Sequence, residues 1–212
     1  MSSLANVLDN PTTGGKTYYD SENDKPKVRM PEGEYPANII KVDCIERMIR
    51  GKYKALIYNL SYRLVSEDTS ELDAVDFDGN DCKVKTGVFG GREFKGQGVF
   101  KFLQPNGSDN FEPNPRGNRA YSNLCEVIGL SAKIVEIDIN GKKTKVRELN
   151  DLKEKDILGK PVMACIKKGK PWKSDLDGKT RFPLTVKWLK KWEGTPLSDD
   201  EIFNDKKDDL PF

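Results

Sequence analysis

Residues 53–65 read Tyr53-Lys54-Ala55-Leu56-Ile57-Tyr58-Asn59-Leu60-Ser61-Tyr62-Arg63-Leu64-Val65. Leu56, Tyr58, Leu60, Tyr62 and Leu64 alternate with Ala55, Ile57, Asn59, Ser61 and Arg63. A period of two belongs to a β-strand, whose successive side chains point to opposite faces. The first set predicts a core face, and the partly polar second set predicts a face turned to a groove or to solvent. Upstream, order is expected to begin near Pro31. Glu32-Gly33-Glu34 reads as a turn, Tyr35–Arg47 as a preceding strand, and Arg50-Gly51-Lys52 as a basic hairpin loop joining the two.

Downstream, Ser66–Asp81 holds seven acids and no base, with a turn signal at Asp78-Gly79 that predicts a small hairpin excursion. Its carboxylates lack the glycine and distal glutamate of a calcium loop. The glycine-rich run Gly87–Phe102 interleaves Phe89, Arg92, Phe94, Lys95, Phe100, Lys101 and Phe102. It matches neither a phosphate-cradling nor a dinucleotide-binding glycine pattern. Two readings stay open. In one, glycines let a ligand approach the backbone while rings stack on bases and cations meet phosphates. In the other, a bent strand turns its phenylalanines into the core, and at least one of Phe100 and Phe102 faces inward.

A polar linker, Gln104–Pro115, leads to a helix start at Asn114-Pro115. Tyr121, Leu124, Cys125 and Ile128 fall at helical spacing, and Gly129 ends the helix. Arg116 and Arg119 lie in its first turn. Asn140-Gly141 marks a hairpin over residues 133–147, whose Lys142, Lys143, Lys145 and Arg147 make a basic finger. Asp151–Asp156 predicts a short helix, and Val162–Lys167 and Thr180–Trp192 predict two strands. The loop between them sets Trp172 among Lys168, Lys170 and Lys173. In the last strand Phe182, Leu184, Val186 and Trp188 are expected on one face, with Trp188 and Trp192 in packing roles.

The order is two strands, an excursion, a third strand, a helix, an added hairpin and two more strands. This predicts a mainly β body with a five-stranded barrel and one helix between its third and fourth strands, the oligonucleotide-binding or OB-fold arrangement. The expected divisions are a flexible arm at 1–27, the barrel domain at 28–193 with an acidic insertion at 66–81 and a basic hairpin at 133–147, and an acidic tail at 194–212. The chain has a net charge of +2. Ser198–Phe212 carries −4 and Ser66–Asp81 carries −7, so the rest of the chain carries +13. A basic body with segregated acids suits a polyanionic partner. No apolar run is long enough to span a membrane, and Met1–Asn10 lacks the basic and apolar regions of a signal peptide. Cys44, Cys82, Cys125 and Cys165 are widely spaced, which predicts reduced cytoplasmic thiols rather than a zinc site. The chain has no histidine, and its densest acids lie outside the expected strands. No catalytic residue, metal or cofactor is expected.

The tail ends Asp208-Asp209-Leu210-Pro211-Phe212. It is a charged tether with an aromatic hook beside a carboxylate, a form that another protein can capture. These residues resemble the acidic tip of bacterial and phage single-stranded DNA-binding proteins, in which the tip recruits replication and repair proteins such as a polymerase, helicase or primase. Here Leu210 stands where that family usually has isoleucine, and Lys206 and Lys207 dilute the acids. The body resembles a phage group of such proteins at Gly33-x-Tyr35-x-Ala37-x-Ile39, at the helix ending in Gly129, and at Leu158-Gly159-Lys160-Pro161-Val162. The resemblance implies a non-enzymatic protein that binds single-stranded DNA in replication, recombination or repair; the oligomeric state stays open, with a monomer slightly favoured. The rivals are a metal-dependent nuclease and an adaptor that only docks proteins; RNA is not distinguished from DNA. Expected base-stacking residues are Tyr53, Phe94, Phe100 and Trp172. Expected phosphate contacts are Arg50, Lys52, Lys54, Arg63, Arg92, Lys95, Lys101, Arg116, Lys168, Lys170, Lys173 and Arg181.

Overall fold

A computed structural model describes residues 28–51, 53–105, 111–114, 117–130, 132–139, 141–174 and 178–204. Strands β1 (Gly33–Ile49) and β2 (Tyr53–Leu64) pair antiparallel along their length. The alternation in β2 holds: Tyr58, Leu60, Tyr62 and Leu64 are buried in one core. Tyr35, Ala37 and Ile39 of β1 join them. A bulge between Ile39 and Lys41 then resets the register, so Val42 becomes the next inward residue. One extra residue thus switches the parity of β1 midway.

The remaining elements are β3 (Glu71–Val75), β4 (Asp81–Lys85), a 3-10 turn (Thr86–Phe89), β5 (Glu93–Lys95), β6 (Val99–Pro105) and β7 (Phe111–Pro113). After them come α1 (Arg119–Val127), β8 (Ile134–Ile139), β9 (Lys142–Arg147), α2 (Glu154–Ile157), β10 (Pro161–Lys168), β11 (Trp172–Lys173), β12 (Thr180–Arg181), β13 (Leu184–Lys191) and α3 (Asp199–Asn204). Seven strands form one sheet in the order β13-β10-β1-β2-β6-β7, with β5 also pairing β2; β3–β4, β8–β9 and β11–β12 are separate hairpins. Among the described residues no helix is long and apolar enough to cross a membrane.

The mainly β class stands, but the sheet is not closed as a barrel. Among the described residues its ends meet where Gly96 bridges Val186 in parallel, with Gln97 N–H donating to the Val186 carbonyl at 3.3 Å and the Thr185 hydroxyl donating to the Lys95 carbonyl at 2.8 Å. The edge strand breaks over Gly96–Gly98, so a single bridge stands where a ladder along β13 would close the sheet. Helix α1 covers the core with Tyr121, Leu124, Cys125 and Val127. It begins at Arg119 rather than Asn114, because the Asn118 side chain extends the sheet pairing instead. Its Oδ1 accepts the Phe102 N–H at 2.7 Å, and its Nδ2 donates to the carbonyls of Phe102 and Asn114. Gly129, at φ 87°, ends the helix as expected.

The acidic excursion is the hairpin β3–β4. At its turn Asp76 accepts N–H groups from Asn80 and Asp78. Its bonds to the Asn80 backbone and side chain, chiefly, hold its carboxyl below the usual range. The expected final strand is split. Pro183 has no N–H to donate, so β12 and β13 are separate and Phe182 is exposed. Trp188 is also exposed, for a bulge opposite Cys165/Ile166 reverses the parity of β13 beyond Val186. Cys125 and Cys165 are buried, and burial pushes the Cys165 thiol up to about 11.

The tail does not begin free at residue 194. The Leu197 N–H donates to the Gly159 carbonyl at 3.0 Å, Ser198 and Glu201 cap α3 through their side chains, and Ile202 is buried. Residues 1–27 and the tip Asp208–Phe212 lie outside the described residues. Gly159 is the pivot of this docking. It sits at φ 74°, and a Cβ there would come within 2.5 Å of the Leu197 carbonyl oxygen. Gly159→Ala should cost about 1–2 kcal/mol in urea unfolding for the left-handed backbone alone. It should also expose the segment after Trp192 to protease; unchanged cleavage there would show that the docking does not depend on this contact.

Candidate nucleic-acid interface

The register of β1, β2, β5 and β6 decides which side chains share the outer face. Opposed residues in a ladder lie on the same face. Ile49 faces Tyr53; Arg47, Ala55 and Phe102 form the next row; Ile45, Ile57 and Phe100 form another; Asp43 opposes Asn59; Lys41, Ser61 and Lys95 follow. Phe100 and Phe102 stack with centroids 5.6 Å apart and planes 14° from parallel. Both are half-buried on the outer face, so neither takes the inward place that one of the two readings of the glycine-rich run allots. Gly98 makes room for this surface: a Cβ there would press on Ile57 at 2.9 Å and Asn59 at 3.2 Å. Ala55, wholly buried, leaves a shallow floor between Arg47 and Phe102.

The result is a strip of rings and aliphatic side chains bordered by cations. Arg47 and Lys95 have no ion pair among the described residues, whereas Lys41 pairs with Asp43 at 3.3 Å. Arg50 is exposed at the hairpin tip, at φ 53°. At the other end of the surface β11 and β12 raise Trp172 into solvent at 49% exposure. The Arg181 guanidinium lies over the Trp172 ring, 5.9 Å from its centroid. Lys168, Lys170 and Lys173 are exposed around it. This finger grows from the Lys168–Leu184 pair, next to the Gly96–Val186 bridge, so it borders the same surface.

Several expected contacts lie elsewhere. Phe94 pairs with Tyr62 and packs against the core, because Glu93 and Lys95 take the outward positions of a short strand. Lys101 is buried at 2% exposure; it faces inward, donates to Asp151 and to the Asn150 carbonyl, and lies over Tyr121. Lys54 is also on the inward face, paired with Glu46 at 2.7 Å and set over Phe111. Arg63 faces outward but binds Glu93 at 3.1 Å and the Glu201 carbonyl. Arg92 is exposed and lies over Phe89, on the far side of Tyr62 from the rings. Lys52 and Arg116 lie outside the described residues. Tyr53, Phe100 and Lys95 are brought to one face, with Arg50 at the hairpin tip beside it and Trp172, Arg181 and their lysines at its border.

Arg47, Phe102, Ile45 and Lys41 complete the surface although sequence reasoning did not choose them. The bulge after Ile39 hides the signal in β1, since parity counted from Tyr35 points Arg47 inward. A second concavity of about 1580 Å³ lies between the β8–β9 hairpin and the body, with Val135, Ile137 and Val146 facing Leu56, Leu103 and Phe111. Among the described residues no group of three or more cysteine or carboxylate side chains could hold a metal ion. Comparisons with protein-family models, curated proteins and solved structures find no match.

The inward lysine supplies a direct check on this face assignment. Lys101→Ala should lower stability by about 1.5–3 kcal/mol, the worth of hydrogen bonds to a charged group, as read by urea unfolding. It should leave the salt dependence of any polyanion binding unchanged. A shallower salt slope would instead put Lys101 on the binding surface.

Proposed function

We propose that this chain binds single-stranded DNA without regard to sequence, along the outer face of β1, β2 and β6. The observation that carries this reading is the stacked Phe100–Phe102 pair with Tyr53 on a surface edged by Arg47, Arg50 and Lys95. Rings offer faces to unpaired bases, each worth about 1–3 kcal/mol whatever the base. Cations neutralise phosphates and release counterions. Duplex DNA hides its base faces, so a single strand is favoured. Nothing in this mechanism requires a catalytic group.

The strand order supports assigning the body to the oligonucleotide-binding topology. In that assignment β1, β2, the β5–β6 edge, β10 and β13 are the five principal strands, and α1 lies between the third and fourth. The β1–β2 tip and the β11–β12 finger are then the loops that flank the ligand in that fold. The acidic tip Asp208–Phe212 is, in this reading, the hook that brings a replication protein to the coated strand. The setting we propose is the cytoplasm of a bacterial cell, during replication, recombination or repair of cellular or phage DNA.

Titrating tryptophan fluorescence with oligothymidylate at several salt concentrations tests the reading. Quenching should saturate, and log K should fall linearly with log salt at roughly −0.7 per phosphate neutralised. Phe100→Ala should cost about 1–3 kcal/mol of binding, and Arg47→Ala should reduce the slope by about one phosphate. No binding at low salt would favour the adaptor, and magnesium-dependent cutting of the oligonucleotide would favour the nuclease. Deletion from Asp205 onward spares the buried Ile202. It should leave binding intact or tighter while abolishing capture of a replication protein; weaker binding would make the tip part of the DNA site.

A further inference from the structure

The pairing of a ring with cations recurs across the seam. Strands β10 and β13 turn Val162, Ala164, Ile166, Val186 and Leu189 into the core. Between Cys165↔Trp188 and Ile166↔Val186 the register shifts, leaving Lys187 as the extra residue. Without that bulge Trp188 would share the inward side of Val186. With it, the indole stands outward at 46% exposure, opposite Cys165. The Lys167 Nζ lies over this ring, 5.6 Å from its centroid. That is near the outer limit of cation–π attraction, so a phosphate can draw the ammonium away. Lys190 is committed to Glu34 and Lys191 to Glu193, whereas Lys167 and Lys187 have no ion pair among the described residues.

This patch is continuous with the platform. The Thr185 hydroxyl donates to the Lys95 carbonyl at 2.8 Å, and Thr185 pairs with Lys167 in the ladder. Lys95 closes the platform on one side of the seam and Lys167 opens the patch on the other. The strands that carry them are two spacings apart, about 10 Å. A flexible polyanion leaving the platform at Lys95 therefore meets Lys167 next, and then an indole.

We propose that Trp188, with Lys167 and Lys187, is a second contact for the same nucleic-acid strand, engaged only by oligonucleotides long enough to cross the seam. It rests on the platform reading above and adds an outlying subsite to it. On engagement the Lys167 ammonium passes from the ring to a phosphate, and a base takes the uncovered indole face.

The test uses the full chain, labelled oligothymidylates of about six and about twenty nucleotides, spanning the usual range of site size, and fluorescence anisotropy. Phe100→Ala should weaken both lengths. Trp188→Ala should leave the short oligonucleotide unchanged and weaken the long one roughly 5- to 150-fold. Trp188→Phe should restore most of that loss, and Lys167→Ala should lower the salt slope for the long oligonucleotide by about one phosphate. Equal melting temperatures for the two Trp188 variants would exclude unfolding as the cause. Trp188→Ala with no effect on the long oligonucleotide overturns the proposal, and so does equal weakening at both lengths. A failure of the platform reading shows separately, as no loss at either length with Phe100→Ala.

Discussion

The antiparallel pairing of β1 with β2 is the constraint on which everything else in the body depends. It gives β10 one edge to pair with and β6 the other, and it supplies both layers of the functional argument. Its inner face provides Tyr35, Ile39, Tyr58, Leu60 and Tyr62 to the core. Its outer face provides Arg47, Tyr53, Ala55 and Ile57 to the platform. The bulge after Ile39 is what lets one strand serve both purposes. Before it, the odd residues of β1 are needed inside; after it, they are released outward, where Lys41, Ile45 and Arg47 stand. Extending the strict alternation of the first half would have buried Arg47 and turned Val42 to water. Burying that guanidinium without a partner would cost far more than an irregular ladder.

The core holds the platform rigid through polar contacts that cross between elements. Buried Tyr121 donates to the Asn150 carbonyl at 2.7 Å and accepts the Leu152 N–H, and Tyr58 donates to the Leu152 carbonyl. These bonds tie the segment before α2 to the helix and to β2. Asn118 ties the start of α1 to the backbone of Phe102, one of the two stacked rings. The ring pair is thus fixed from behind by a helix cap position and from the side by Gly98, which leaves no side chain in its way. A surface that stacks bases gains from such support, because side-chain freedom lost on binding has already been lost on folding.

Much of this was legible in the sequence. The period of two in Tyr53–Leu64 located β2 and its inward face. Asp78-Gly79 and Asn140-Gly141 located two hairpins, Gly129 located the end of the helix, and the ring-and-lysine loop around Trp172 located the finger. What escaped was parity. A bulge costs one residue and leaves no mark in composition, yet it decided the outward placement of Arg47 and Trp188. The buried Lys101 escaped for a different reason. A lysine among phenylalanines in a glycine-rich run looks like a phosphate contact, and only the three-dimensional closeness of Asp151 and Tyr121 gives it an inward role. Closure of the sheet is not written in the sequence either, since a list of strands does not reveal how many residues the first and last ladders share.

That incomplete closure has its own meaning. A full barrel resists change of curvature because every strand is zipped on both sides. Here, among the described residues, the two edges of the open sheet are joined by a carbonyl–amide link from Gln97 to Val186 and a hydroxyl from Thr185. The line between them is held chiefly from beneath: Val186 on one bank and Phe94 on the other pack against the same core, so burial of side chains rather than a hydrogen-bond ladder keeps the two edges together.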